Sequence, residues 1–240
     1  MQGDVGKWRH RYAEESSWDT ARYRSIQRAE ARLILNWLAA LKLPRYDILE
    51  IGCGSGNFGL LLCQGLLESG LDFTCRLTDL LPEAVQETKD RFAGFSRPDL
   101  VEFWPLDVYE ILETLGRSSQ SLIISTGHAS AVSYKWAVPL VSESLAQGGF
   151  LICDFINHFA PHLFWRNPAA ALKRLAQVRR RAYDPDFVQY QFGRVGLRKY
   201  FQAQGLKMVK LTGLGWLRYP LVGLFVKTGP ASPPPLPQED

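Results

Sequence analysis

From residue 21 to residue 43 the apolar positions recur as Ile26, Ala29, Leu33, Ile34, Trp37, Leu38 and Leu41. That spacing of three and four predicts one amphipathic helix, closed by Pro44. Beyond it the pattern changes to short apolar runs separated by longer mixed segments. Strands are expected at 46–51, 73–78, 100–104, 121–126 and 149–155, with helices between them ending near 67 and spanning 82–92, 108–115 and 135–145. Five alternating units of this kind imply a parallel α/β sheet. Asn167 and Pro168 then read as the cap and first residue of a further helix running to about residue 183, with Leu172, Leu175 and Val178 facing inward. A last helix at 195–204 leads to two strand candidates, 206–211 and 222–227. Gly213, Gly215 and Pro220 lie between them, as a hairpin would require.

The densest chemistry sits in Asp47-Ile48-Leu49-Glu50-Ile51-Gly52-Cys53-Gly54-Ser55-Gly56-Asn57. A buried strand here meets an acid and a glycine turn. Without a Cβ, Gly52, Gly54 and Gly56 let the backbone turn sharply and approach a bound molecule. A nucleoside triphosphatase loop needs a Lys-Ser or Lys-Thr pair after its glycines, and none follows. Gly54-Ser55-Gly56-Asn57-Phe58-Gly59 does spell the dinucleotide pattern, and Asp79 lies 20 residues beyond Gly59. By spacing alone, an NAD(P)-binding oxidoreductase therefore stays open. Glu50 shifts the balance, because a carboxylate at this strand mouth repels a pyrophosphate and welcomes an ammonium group.

Composition sets the frame for that site. The chain has 240 residues, 46% hydrophobic, enough for one full core. No apolar run reaches the roughly 18 residues a membrane span needs, and the polar start lacks a signal-peptide core, so a cytoplasmic protein is expected. Cys53, Cys63, Cys75 and Cys153 show no paired spacing and read as reduced packing residues. The net charge is only +4, yet between Phe159 and Tyr200 there are nine Lys or Arg against Asp184 and Asp186. Such a stretch suits an anionic substrate, a nucleic acid or a solvated helix face.

With these residues in view, Glu50-Ile51-Gly52-Cys53-Gly54-Ser55-Gly56 resembles the first motif of the class I S-adenosylmethionine-dependent methyltransferases. Later segments agree in order. Asp79 in Leu77-Thr78-Asp79-Leu80 resembles the acid that takes both ribose hydroxyls, and Leu80 the apolar residue packed on adenine. Leu106-Asp107-Val108 is similar to the segment facing the adenine amino group, and Leu145-Ala146-Gln147-Gly148-Gly149 to the turn before the fifth strand. The resemblance covers roughly residues 30 to 228. It implies an α/β, Rossmann-like fold: a seven-stranded, mostly parallel sheet with an antiparallel last strand and helices on both faces. It also implies S-adenosyl-L-methionine as cofactor, held by Glu50, Gly52, Gly54, Gly56, Asp79, Leu80, Asp107 and Val108. Asp79 and Asp107 also suit helix caps. The expected organisation is an N-terminal helical cover over 1–43, a methyltransferase domain over 44–228 with an insertion at 155–190, and a proline-rich tail over 229–240.

Methyl transfer asks mainly for placement, since the donor carbon is already activated by positive sulfur. A base is needed only for an acceptor that must lose a proton. His128, after the fourth strand, is the candidate catalytic residue, against a purely pocket-shaping role. The segment lacks the Asn/Asp-Pro-Pro-Tyr/Phe sequence of the amide-type N-methyltransferases. Asp154, His158 and His162 have a spacing that suggests a metal, but Pro161 interrupts the helix it would need, so no metal is expected. Aromatics at Phe159, Phe164, Trp165, Tyr183 and Tyr190, among arginines, point to a planar or apolar small-molecule acceptor, anionic or aromatic, for O- or N-methylation. The alternatives are an RNA or protein methyltransferase using the basic 166–199 stretch, and an inactive cofactor-binding scaffold.

Overall fold

The computed structural model describes Arg9 and residues 21–126, 134–155, 168–169, 194–214 and 220–230. Its elements run α1 (Ala21–Leu41), β1 (Tyr46–Ile51), α2 (Asn57–Glu68), β2 (Phe73–Asp79), α3 (Pro82–Arg91), β3 (Val101–Pro105), α4 (Ile111–Leu115), β4 (Gln120–Ser125), α5 (Tyr134–Ser144), β5 (Leu145–Phe155), α6 (Arg194–Ala203), β6 (Leu206–Gly213) and β7 (Leu221–Lys227).

The seven strands form one sheet in the order β3-β2-β1-β4-β5-β7-β6. Strands β1 to β5 pair in parallel, whereas β7 lies antiparallel to both β5 and β6. The hairpin expected at 206–227 is therefore present, and it inserts its second strand next to β5. Parallel strands buried on both faces must be apolar nearly throughout. In β1, Tyr46 and Ile48 pack into one core with α1 and α2, while Leu49 and Ile51 pack into the other with residues of α5 and α6. Glu50, in register with Ile124, occupies an otherwise apolar row on the α1–α2 side.

Helix α1 belongs to the core. Ile34 and Leu38 are fully buried, and Leu35 lies so close to Gly65 of α2 that a Cβ there would sit 2.2 Å from Leu35 Cδ1. The Tyr46 hydroxyl donates to Leu38 O at 2.6 Å, tying the end of α1 to the start of β1.

Three boundaries differ from expectation. The helix expected at 108–115 is a 3-10 turn, Val108–Glu110, followed by the short α4, because Asp107 caps the turn by accepting the Tyr109 N–H at 2.9 Å. Strand β5 begins at Leu145 rather than at 149, with a register shift against β4 and Gly148 at φ 79°. Helix α3 ends at Arg91, and Phe92 enters a 3-10 turn. Of the basic helix expected after Asn167, Pro168 and Ala169 are helical, and the remainder lies outside the described residues.

Candidate cofactor site

Strand β1 delivers the glycine turn to the carboxyl edge of the sheet, where open α/β sheets hold their ligands. Gly52, Gly54 and Gly56 all take positive φ, at 78°, 55° and 77°. Three left-handed residues so close together are strained for any side chain but hydrogen. The turn is fastened to β2 by Gly52 N–H and Cys53 N–H, both donating to Thr78 O at 2.8 and 2.9 Å. A Cβ on Gly54 would meet nothing within 4 Å, so this glycine borders open space. Gly56 differs, because its Cβ would fall 2.8 Å from Thr88 Cγ2.

Asp79, the last residue of β2, faces that turn. Its Oδ2 accepts the Gly54 N–H at 2.9 Å and its Oδ1 accepts the Leu81 N–H at 3.0 Å. The second bond is a local turn, since the residue preceding α3 is Leu81, with no side-chain cap. A carboxylate oxygen has two acceptor sites, so each oxygen of the half-buried Asp79 retains one for a ligand hydroxyl. Leu80 beside it is also half-buried. On the next strand connection, Leu106 N–H donates to Asp79 O at 2.8 Å, which brings Asp107 and the buried Val108 to the same edge. The structure thus gathers Glu50, the three glycines, Asp79, Leu80, Asp107 and Val108 around the mouths of β1, β2 and β3. His128, His158 and His162 lie outside the described residues.

Glu50 is 1% exposed, and its Oε2 has no hydrogen-bond partner. Burial first, and the nearby Asp79 charge second, push its pKa up to about 8. A Cβ at Gly59 would lie 2.6 Å from Glu50 Oε2 and 2.9 Å from Leu77 Cδ2, so Gly59 is the residue that lets α2 close over this carboxyl. An orphaned buried acceptor costs roughly 1–3 kcal/mol until a donor reaches it. An ammonium group supplies that donor, and its charge would favour ionised Glu50. The raised pKa also alters the sequence argument. With its pKa at about 8, Glu50 is mostly neutral near neutral pH, so its charge alone does not exclude a pyrophosphate.

Helix α3 supports the turn from beneath, through two residues that sequence reasoning missed. The Thr88 hydroxyl donates to Gly54 O at 2.8 Å and lies 3.4 Å from Cys53 Sγ. Arg91 donates from Nε to Ser55 O at 2.5 Å and from Nη1 to Asn57 Oδ1 at 2.7 Å. Burial pushes the Cys53 thiol far above its usual range, which makes it a packing group. All four cysteines are buried free thiols. Among the described residues, no group of three His, Cys, Asp or Glu is placed to hold a metal, and no helix is long and apolar enough to cross a membrane.

Topology distinguishes the two kinds of sheet that the glycine spacing left open. A dinucleotide-binding sheet runs 3-2-1-4-5-6. Here β7 lies antiparallel between β5 and β6. The same arrangement aligns with solved methyltransferases. A DszA carbon methyltransferase superposes at TM-score 0.63, 16% identical over 90% of this chain and 57% of that one. The chain has the fold of the S-adenosylmethionine-dependent methyltransferases. This methyltransferase fold is shared with an enzyme from Aquifex aeolicus, at TM-score 0.61 and 10% identity over 90% of this chain and 98% of the other. Magnesium protoporphyrin IX methyltransferase from Synechocystis PCC 6803, solved with S-adenosylhomocysteine bound, aligns at TM-score 0.59 and 18% identity over 84% of this chain and 83% of that one. The chain spans little more than half the length of the carbon methyltransferases it matches, 57%, 56% and 52%. No family model matches the sequence, and no curated protein matches it.

Proposed function

We propose that the chain is an S-adenosylmethionine-dependent methyltransferase acting on a small-molecule acceptor by O- or N-methylation. The observation that carries this reading is the orphaned, buried Glu50 carboxyl beneath a glycine turn that borders open space at Gly54. That pair suits a cofactor with an ammonium group at one end. The cofactor, when bound, supplies a methyl group already activated by positive sulfur.

The residues divide the remaining work. Glu50 accepts from the ammonium, and the backbone at Gly52, Gly54 and Gly56 passes close to the methionine end. Asp79 accepts the two ribose hydroxyls through its free acceptor sites, while Leu80 and Val108 offer apolar surface to the adenine. Asp107, which caps the Tyr109 N–H, takes the adenine amino group. His128 is the candidate base for an acceptor that must be deprotonated. Arg9 donates to Glu83 at the start of α3, 2.8 Å away, beside the strand end proposed for the adenosine.

The test supplies methyl-labelled S-adenosylmethionine to the full chain together with separated pools of small metabolites, RNA and protein. Label is expected in the small-molecule pool and should vanish with Asp79→Ala. Label confined to RNA, with binding that falls steeply as salt rises, would move the function to the basic 166–199 stretch. Cofactor binding without label in any pool would leave an inactive scaffold.

A further inference from the structure

A second orphaned acid lies on the same side of the sheet as Glu50. Glu30 of α1 is 3% exposed, and its Oε1 has no hydrogen-bond partner. One turn earlier on the same helix, Gln27 buries an Oε1 that is also without a partner. Both continue the face that carries Ala31, Ile34 and Leu38 into the core, because Glu30 falls four and eight residues before Ile34 and Leu38, and Gln27 four and seven before Ala31 and Ile34.

The position of this face along the sheet is fixed at both ends. Leu38 O receives the Tyr46 hydroxyl at the start of β1, so α1 runs against the parallel strands and its earlier turns lie towards their carboxyl ends. At that edge, β5 ends in Asp154-Phe155. Ile152 points into the α1 core while Leu151, Cys153 and Phe155 point into the other, so alternation puts the buried Asp154 on the α1 side. The register carries it further: Glu50 pairs with Ile124 and Ile124 with Ile152, placing Asp154 one dipeptide beyond the Glu50 row and two strands across. Two strand spacings amount to about 10 Å from the mouth of β1.

We propose that Glu30 and Asp154, with the Gln27 amide oxygen, form a cation subsite that holds a protonated amine of the acceptor. The Glu30 carboxyl oxygen and the Gln27 amide oxygen, buried without donors, are expensive to keep, and an ammonium brings three donors and the compensating charge. Burial, and then the Asp154 charge, raise the Glu30 pKa well above the usual carboxylate range, so an incoming cation has a proton to displace and a dry site to occupy. The subsite lies on the strand edge that carries the glycine turn, far enough from it for the body of a small acceptor to lie between. The inference rests on the methyltransferase reading for the word acceptor, but its chemistry is independent of the cofactor. It also turns the acceptor expectation from an anionic molecule to a cationic one.

The test titrates the full chain with benzylammonium, benzyl alcohol and benzoate by calorimetry, with and without S-adenosylhomocysteine. Benzylammonium should bind about ten- to a hundredfold more tightly than benzyl alcohol, as charge-assisted hydrogen bonds require. That advantage should disappear in Glu30→Gln and shrink in Asp154→Asn. Equal binding of the three probes, a preference for benzoate, or an amine preference that survives Glu30→Gln would overturn the subsite. Thermal unfolding of Glu30→Gln gives a second readout. Removing an acid kept for a ligand raises the midpoint, whereas a marked fall would show that the chain itself satisfies Glu30 and would also overturn it. Titration with S-adenosylhomocysteine in the same samples reports separately on the cofactor, so either reading can fail while the other stands.

Discussion

The Asp79 carboxylate accepts the backbone N–H of Gly54 at 2.9 Å, joining the end of β2 to the middle of the glycine turn. The residue proposed to take the ribose thus also holds the turn proposed to pass the methionine end. Replacing Asp79 by Ala removes both functions. S-adenosylhomocysteine affinity should fall by about 1.5–3 kcal/mol, the worth of hydrogen bonds to a charged group. Calorimetry of the folded variant measures it, and unchanged affinity would reduce Asp79 to a turn-forming residue.

Glu50→Gln should move stability and binding in opposite directions. The folded chain holds the Glu50 proton up to about pH 8, whereas an ordinary glutamate releases it near 4.5. Stability from this group is full below the lower value and is lost as pH rises through the higher one. The variant lacks that loss. Its advantage over the parent chain in thermal unfolding should therefore be small at acid pH and grow to a few kcal/mol by about pH 8. Cofactor affinity should meanwhile drop about tenfold or more, because a charged acceptor has been replaced by a neutral one. A variant that is less stable at every pH would show that Glu50 is satisfied inside the chain.

Two glycines of one turn should respond differently to the same methyl group. Gly54→Ala keeps only the backbone strain of φ 55°, roughly 1–2 kcal/mol, but puts its methyl group into the open space at the turn. Gly56→Ala adds a collision with Thr88 Cγ2 to its own strain at φ 77°. The first should lose S-adenosylhomocysteine binding with a modest fall in thermal midpoint. The second should show the larger fall. Equal stability losses with retained binding at Gly54 would place the ligand elsewhere.

Thr88→Val is nearly isosteric and removes the donor to Gly54 O. A part-buried carbonyl left without its donor costs about 1–3 kcal/mol, so unfolding should shift to lower temperature and cofactor affinity should weaken moderately. An unchanged chain would mean that the Thr88 hydroxyl does not brace the turn.

The sequence made the strands and the turn legible because their signals are local. Ile48, Leu49 and Ile51 form a continuous apolar run, three glycines follow within five residues, and Asp79 stands at a spacing that only a strand–helix–strand unit makes meaningful. What remained hidden depends on which residues meet in space. Thr88 and Arg91 sit in a polar stretch, Gln86 to Arg91, that reads as a solvated helix face, yet both reach the turn more than 30 residues away in sequence. Glu30 and Gln27 carry no signal of their own within the apolar pattern of residues 21–43, since periodicity cannot tell a solvated polar group from a buried one. Asp107 suited a cap or a ligand group, and its bond to Tyr109 N–H shows the cap. The glycine spacing fitted two cofactors, and the arrangement of β5, β7 and β6, a non-local pairing, distinguishes the two sheets.

The most direct measurement is calorimetric titration of the purified full chain with S-adenosylmethionine and S-adenosylhomocysteine, and then with NAD and NADP. The account predicts saturable, one-to-one binding of the first two, with proton release near neutral pH as Glu50 ionises against the ammonium, and no saturable binding of the nicotinamide cofactors. Saturable binding of NAD or NADP with none of S-adenosylhomocysteine would contradict it.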